Sequence, residues 1–237
     1  GGDNIGDPAL VQVIAEGAYG AMEWLTFEGG VAWQSYEQFF GGHSVARSLV
    51  PAGQEGSELI TKLDKRSTEI DGLTIVCNMK AEELLIDASG AVCGIRATDT
   101  IGGQEFTFDA KAVVLACGGC GSNVEMRVKY NPAMDESILS TDSIGATGDG
   151  LVMASAIGAG LIDMQYIQTY PTCDVETGGL LYVGNMRLNQ KAICVNREGD
   201  RFVEELERRD VISNAVTKQT DGVGYMVFNQ AEVDSTQ

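Results

Sequence analysis

Ala112-Val113-Val114-Leu115-Ala116-Cys117-Gly118-Gly119-Cys120-Gly121 is the stretch on which the fold turns. Six apolar residues in succession, with no polar alternation, are the pattern of a strand covered on both faces. The glycines that follow let the backbone turn tightly or approach a ligand closely. Upstream the pattern is that of short strands: Leu73–Cys77, Glu83–Ile86, Val92–Ala97 and Glu105–Asp109, separated by turns such as Asp87-Ala88-Ser89-Gly90 and Gly102-Gly103. An antiparallel meander therefore leads into the apolar run. Downstream, Asn123–Tyr130 reads as a short helix stopped by Asn131-Pro132, and Thr147 is placed to cap another helix running to Gly158.

Towards the N-terminus, Asp7-Pro8 is a helix start, with a capping carboxylate and proline at the first helical position. Leu10, Ile14, Ala18, Ala21 and Leu25 follow at helical spacing, and Gly29-Gly30 ends the helix. A second helix is expected over Ser57–Glu69, with a loop at Phe39-Phe40-Gly41-Gly42-His43-Ser44 between the two. Beyond residue 163 the chain is loop-rich. Cys194–Phe202 reads as strand, turn, strand, Asp210–Lys218 as a helix and Tyr225–Phe228 as a last strand. The class is α/β with mixed α+β character.

The chain has 237 residues, 44% of them apolar and 21% charged, enough to bury a core without disulfides or a structural metal. Sixteen Lys and Arg against 34 Asp and Glu leave a net charge of −18, a field that repels phosphate backbones and anionic membrane surfaces. Nucleic-acid partners are therefore not expected, and each arginine position becomes informative. The six cysteines are scattered, and only Cys117-Gly-Gly-Cys120 has redox or metal spacing. With one histidine, His43, and no second CxxC, a metal site is not expected. No stretch has the length of a membrane span.

Five motifs occur in a fixed order: the apolar run ending in Gly-Gly, Gly145-Ala146-Thr147-Gly148-Asp149-Gly150, Asp163-Met164-Gln165-Tyr166-Ile167-Gln168, Pro171-Thr172 and Val195-Asn196-Arg197-Glu198-Gly199. Together they resemble the flavoprotein family of fumarate reductases and succinate dehydrogenases, most closely the flavocytochrome c and urocanate reductase branch. The resemblance begins at Gly1-Gly2-Asp3-Asn4-Ile5 and covers essentially the whole chain. It implies part of a Rossmann-like FAD-binding domain with an antiparallel meander over residues 1–163, and the start of an α+β capping domain over 164–237. The family's GxGxxG unit for the FAD pyrophosphate has no counterpart here, so the chain is expected to be an internal piece that binds FAD weakly when isolated.

The resemblance also implies the site. Gly118 and Gly119, Asp149 and the backbone of Ala81 match positions that meet FAD. Arg209, in Glu207-Arg208-Arg209-Asp210, matches the arginine that protonates the substrate, although a surface ion pair is the ordinary fate of such a run. The implied chemistry is hydride delivery from flavin N5 to the β-carbon of an α,β-unsaturated acid, with a proton from Arg209 to the α-carbon. Tyr170 stands where fumarate reductases carry histidine, so it either meets a flatter substrate or packs beneath the cap. The relay segment reads Gly184-Asn185-Met186-Arg187 in place of Thr-Glu-Ala-Val-Arg-Gly. Arg187 fits the second arginine and Asn185 falls near the missing carboxylate, which Asp174 or Glu176 would have to replace. Tyr170 and Asn185 turn the expectation from fumarate towards an aryl- or imidazolyl-acrylate. The expected partners are a small unsaturated acid and an electron-donor protein or a haem or FMN domain. A ketosteroid dehydrogenase-like oxidoreductase, or a catalytically silent fragment, are the competing readings.

Overall fold

The computed structural model describes residues 5–53, 56–179, 187 and 191–231. Contacts divide the chain into two units, Gly1–Ile75 with Gly184–Gln237, and Val76–Val183. The sequence puts its boundary after residue 163. The loop-rich stretch beyond that point instead stays with the second unit, held in part by the Asn131 side chain, which donates to the Gln165 carbonyl at 3.1 Å. The N-terminal 75 residues join the C-terminal segment because the 41–42 turn seats on its backbone: the Gly42 N–H donates to the Leu206 carbonyl at 3.1 Å.

The unit formed by residues 76–183 is built on a three-stranded antiparallel meander, β1 (Met79–Ile86), β2 (Val92–Asp99) and β3 (Glu105–Asp109), in that spatial order. Ala81 pairs with Ala97 and Ile95 with Phe108, and β1 carries a register shift between Ala81 and Glu83. Two helices follow, α3 (Val124–Tyr130) and α4 (Asp149–Ala156). The α3 start is capped by Asn123, whose side chain accepts from the Met126 N–H. Leu84, Ala97 and Met153 are buried where α4 meets the sheet.

In the other unit, α1 spans Pro8–Phe27 and starts as the sequence implies, with the Asp7 carboxylate accepting from the Ala9 N–H at 2.8 Å. A helix at Gly56–Ser67 (α2) follows. Between them, residues 33–51 fold back as an irregular antiparallel ribbon, with bridges Trp33–Pro51 and Gln38–Ser48. The C-terminal segment adds β4 (Ala192–Val195), α5 (Arg209–Val216) and β5 (Tyr225–Phe228), with β4 and β5 antiparallel. Among the described residues of this unit, Val31, Ala192, Cys194 and Ile212 are buried and apolar.

Four local expectations change. Residues 73–77 form no strand, and their apolar side chains are exposed, Ile75 at 62%. Residues 112–117 run without strand pairing, and Val114 is 87% exposed. Apolar content makes such a run able to be covered, but a strand also needs a partner in register, and the run pairs with neither outer edge of the three-stranded sheet. Gly148, not Thr147, stands at the start of α4: its left-handed φ of 80° turns the chain into the helix, and the Thr147 hydroxyl points back to the Gly145 carbonyl at 3.4 Å. Finally, the strand-turn-strand at 194–202 reduces to one bridge, Val195–Arg201, because β4 takes β5 as its partner.

Candidate functional site

In the sheet unit, the end of the 112–117 run, the start of β1 and the start of α4 enclose a cleft of about 490 Å³. Ala81, Cys117 and Asp149 line it, with Met79, Lys80, Ile95 and Met153. The cleft leads directly into Gly118-Gly119, and the Gly119 carbonyl accepts from the Gly148 N–H at 3.0 Å, which fastens the glycine turn to the start of α4. Gly118 has φ +75°, a conformation other residues adopt only with strain, and side chains built at Gly118 or Gly119 would meet nothing within 4 Å. The turn thus presents bare backbone to open space. Gly150 is glycine for the opposite reason: a Cβ there would collide with the Cys117 sulfur.

Asp149 lies in the first turn of α4, where exposed N–H groups favour a carboxylate, and its Oδ2 stands 4.0 Å from Lys80 Nζ. A flat ligand with hydroxyl donors fits these features: open glycine backbone, an apolar wall from Ile95 and Met153, and one carboxylate acceptor. Ala81 and Asp149, distant in sequence, both line the cleft, and Gly118-Gly119 directly follow its Cys117 wall. Cys117 is exposed and Cys120 half-buried, both as thiols.

Behind the glycine turn, Arg127 is 4% exposed and donates to the carbonyls of Gly121, Asp135 and Ile138 at 3.0–3.1 Å. It ties down the segment that carries the turn. The sequence reading passed over it because its partners are backbone carbonyls, which leave no pattern in residue types. Tyr170 is half-buried in the same unit. Asp174 is occupied by its own turn: its carboxylate accepts from the Thr177 hydroxyl at 2.7 Å and the Thr177 N–H at 2.8 Å. The Thr177 hydroxyl, then these backbone N–H groups, hold the Asp174 carboxyl below the usual carboxylate range. That makes it a turn anchor, poorly suited to passing protons near neutral pH. Glu176 is exposed.

The other unit gathers charge. Arg187, 5% exposed, donates through Nη1 to the Glu205 carbonyl. Glu205 is 4% exposed; its carboxylate accepts from Arg201 Nε at 3.0 Å and from the Cys194 N–H at 2.8 Å. Burial alone would push the Glu205 carboxyl up, but the Arg201 and Cys194 donors outweigh it and hold the group below the usual range. The neighbouring Cys194 thiol is pushed up, by burial and then by the Glu205 charge.

Arg209 is the first residue of α5 and is half-buried. The adjacent Asp210 carboxylate accepts from Arg208 Nε at 3.1 Å and Nη2 at 2.7 Å, which holds its carboxyl below the usual range. The tip of the 33–51 ribbon lies against this segment. A Cβ at Gly41 would stand 2.7 Å from the Glu207 carbonyl and 3.4 Å from Arg187 Nη1, so only glycine lets the ribbon approach so closely. His43 follows at the tip, edge-on to Phe39 and Phe40, and it too went unassigned in the sequence reading. Burial first, then the charges of Arg47 and Arg209, lower its pKa below the ordinary 6.5. Arg187, Arg209 and His43 thus share one neighbourhood, while Gly184 and Asn185 lie outside the described residues.

Among the described residues no helix is long and apolar enough to cross a membrane. The FAD binding domain family matches residues 1–232. The chain is 70% identical over its whole length to the urocanate reductase of Eggerthella lenta, and covers 39% of that protein. It is 37% identical over 98% of its length to the cytochrome-type fumarate reductase of Shewanella frigidimarina, covering 40% of it. Among solved structures, the open conformation of a flavocytochrome c3 fumarate reductase superimposes on 99% of the chain with a TM-score of 0.80 at 31% identity, and 41% of that structure is covered. The chain therefore spans about two fifths of the length of these relatives. It belongs to the FAD binding domain family, and FAD is the cofactor to which its glycine turn and acidic helix start are suited.

Proposed function

We propose that the chain is part of an FAD-dependent reductase of the C=C bond of α,β-unsaturated carboxylic acids, with an imidazolyl- or aryl-acrylate preferred over fumarate. The observation that carries this is the cationic neighbourhood of Arg187 and Arg209 in a chain 70% identical to a urocanate reductase. In a protein with 34 acidic and 16 basic residues, arginines held beside one loop mark where an anion is received.

When bound and reduced, FAD supplies a hydride to the β-carbon. In this reading Gly118, Gly119 and the backbone of Ala81 hold the cofactor, and Asp149 accepts from a cofactor hydroxyl. Arg209 donates the proton to the α-carbon. A guanidinium is a weak acid, so it serves only against a strongly basic carbanion, and its charge also stabilises the enolate-like transition state. Arg187, fixed by the Glu205 carbonyl, returns a proton to Arg209 or steadies the substrate carboxylate. Tyr170 offers a ring face and a hydroxyl to a flat substrate. Gly184 and Asn185 are assigned to the substrate side by resemblance alone. In this reading the cofactor contacts lie within residues 76–183. The isolated 237-residue chain is expected to bind FAD weakly, and electrons would come from a donor protein or a haem or FMN domain.

The test uses the complete flavoprotein that contains this chain, loaded with FAD and supplied with reduced viologen. It should oxidise the viologen when given urocanate or a related acrylate, and more slowly with fumarate. An enzyme that reduces no member of a broad enoate panel would sink the reading.

A further inference from the structure

Among the described residues, two charged side chains line the cleft of the 76–183 unit, Lys80 and Asp149, with Lys80 Nζ 4.0 Å from Asp149 Oδ2. Both are accessible, at 56% and 41% of their side-chain surface, so a ligand entering the cleft can reach them. Lys80 is the second residue of β1, next to Ala81, and Asp149 opens α4, which packs against β1. An ion pair this exposed contributes little to folding. What it changes is the charge of the cleft. Asp149 alone would make the wall anionic, in a chain whose net charge is already −18. FAD, the cofactor of this family, carries an anionic diphosphate, and a like charge on the wall disfavours its entry.

Resting on the reading in which Asp149 accepts from a cofactor hydroxyl, we propose that Lys80 is a positioning residue for cofactor affinity: its ammonium neutralises the Asp149 carboxylate, so that the cleft uses this acceptor without repelling the diphosphate of the same ligand. Without a counter-charge the two effects of Asp149 conflict. An ionised carboxylate is a stronger acceptor than a neutral amide, yet its charge opposes an anionic ligand. A cation 4.0 Å away turns the lone charge into a dipole, whose field falls off faster with distance, and leaves carboxylate lone pairs free to accept. As a ligand displaces water from the cleft, the attraction between the two groups grows, so the compensation is strongest in the loaded protein.

The apo form of the complete flavoprotein, titrated with FAD and followed by flavin fluorescence, tests this. Lys80→Met keeps the stem without the charge and should weaken FAD binding by about tenfold at low ionic strength. Screening should shrink that penalty to about threefold or less near about 0.5 M salt. Lys80→Arg should bind as the wild type does. Adding Asp149→Asn to Lys80→Met should recover most of the loss, because the uncompensated anion is gone and an acceptor oxygen remains. No loss in Lys80→Met, a loss that ignores salt, or one that Asp149→Asn does not recover overturns the proposal. Asp149→Ala separates this from the reading beneath it. If that variant binds FAD as tightly as the wild type, the assignment of Asp149 to the cofactor falls and this inference with it. If it binds FAD weakly while Lys80→Met binds normally, only the part given to Lys80 is lost.

Discussion

The two units hold their candidate residues by different physics. In the unit of residues 76–183 the site is made of absent side chains: glycines with open space above them, a β1 alanine, and one carboxylate at a helix start. In the other unit it is made of charge: Arg187 and Glu205 are nearly inaccessible, Arg187 donates to the Glu205 carbonyl, and the Glu205 carboxylate accepts from Arg201 and the Cys194 N–H. The first arrangement depends on shape, so volume changes should damage it. The second depends on pairing, and changes of charge should damage it far more than changes of size.

The largest expected effect tests the charged side. Arg209→Lys keeps a cation of similar length but replaces the planar fork, and enoate reduction should fall by about 10²–10⁴-fold, with FAD content unchanged. Steady-state rates and the flavin-to-protein ratio measure the two halves. A variant with nearly wild-type turnover would move the proton donor elsewhere and leave the cofactor cleft unaffected.

Next comes Glu205. Its replacement by alanine strands a buried N–H at Cys194 and removes the anion facing Arg201, whose side chain is half exposed and can turn to water. The cost should be about 2–3 kcal/mol, seen as a lower urea midpoint. Glu205→Gln keeps an acceptor for the Cys194 N–H and should lose less. If alanine and glutamine were equivalent, the loss would belong to packing, and the contrast between the units would weaken.

On the shape-dependent side, Gly150→Ala puts a methyl group against the Cys117 sulfur and should cost about 1–2 kcal/mol. Cys117→Ala in the same protein removes the obstacle and should recover most of it. A coupling of at least about 0.5 kcal/mol in the four-variant cycle would show that these two positions share one packing constraint. Since Cys117 lines the cleft, FAD retention should follow the same pattern as stability.

How much of this was legible in the sequence follows the same division. Local signals were readable: Asp7-Pro8 placed the start of α1, Asn131-Pro132 the end of α3, and β3 and β5 fell where alternation and turns put them. Signals that depend on distant partners were not. The run 112–117 reads as a buried strand because burial is written in composition, whereas the edge it needs is written nowhere nearby. Likewise Ala81, Gly118, Gly119 and Asp149 were assigned through resemblance, and the folding that brings Ala81 and Asp149 to one cleft follows from β1 packing against α4. Arg127, Glu205 and His43 escaped because what distinguishes them is burial and an unusual set of partners, which a residue type does not reveal.

The smallest effect separates the two kinds of site by pH. His43 has a folded-state pKa below its ordinary 6.5, from burial and then from Arg47 and Arg209. The unfolded chain therefore takes up a proton at this residue more readily than the folded one as pH falls below about 6.5, and stability must fall with it. Above that value the contribution is complete and pH-independent. The thermal midpoint of the wild type should drop more between pH 7.5 and 5.5 than that of His43→Asn, which has nothing to titrate. The buried Glu205, held below the usual carboxylate range, stays ionised through this interval and contributes nothing to the difference. Parallel curves for the two proteins would mean that the imidazole is as easily protonated folded as unfolded. The tip of the ribbon would then sit outside the field of the arginines, and the charged cluster would end at Arg209.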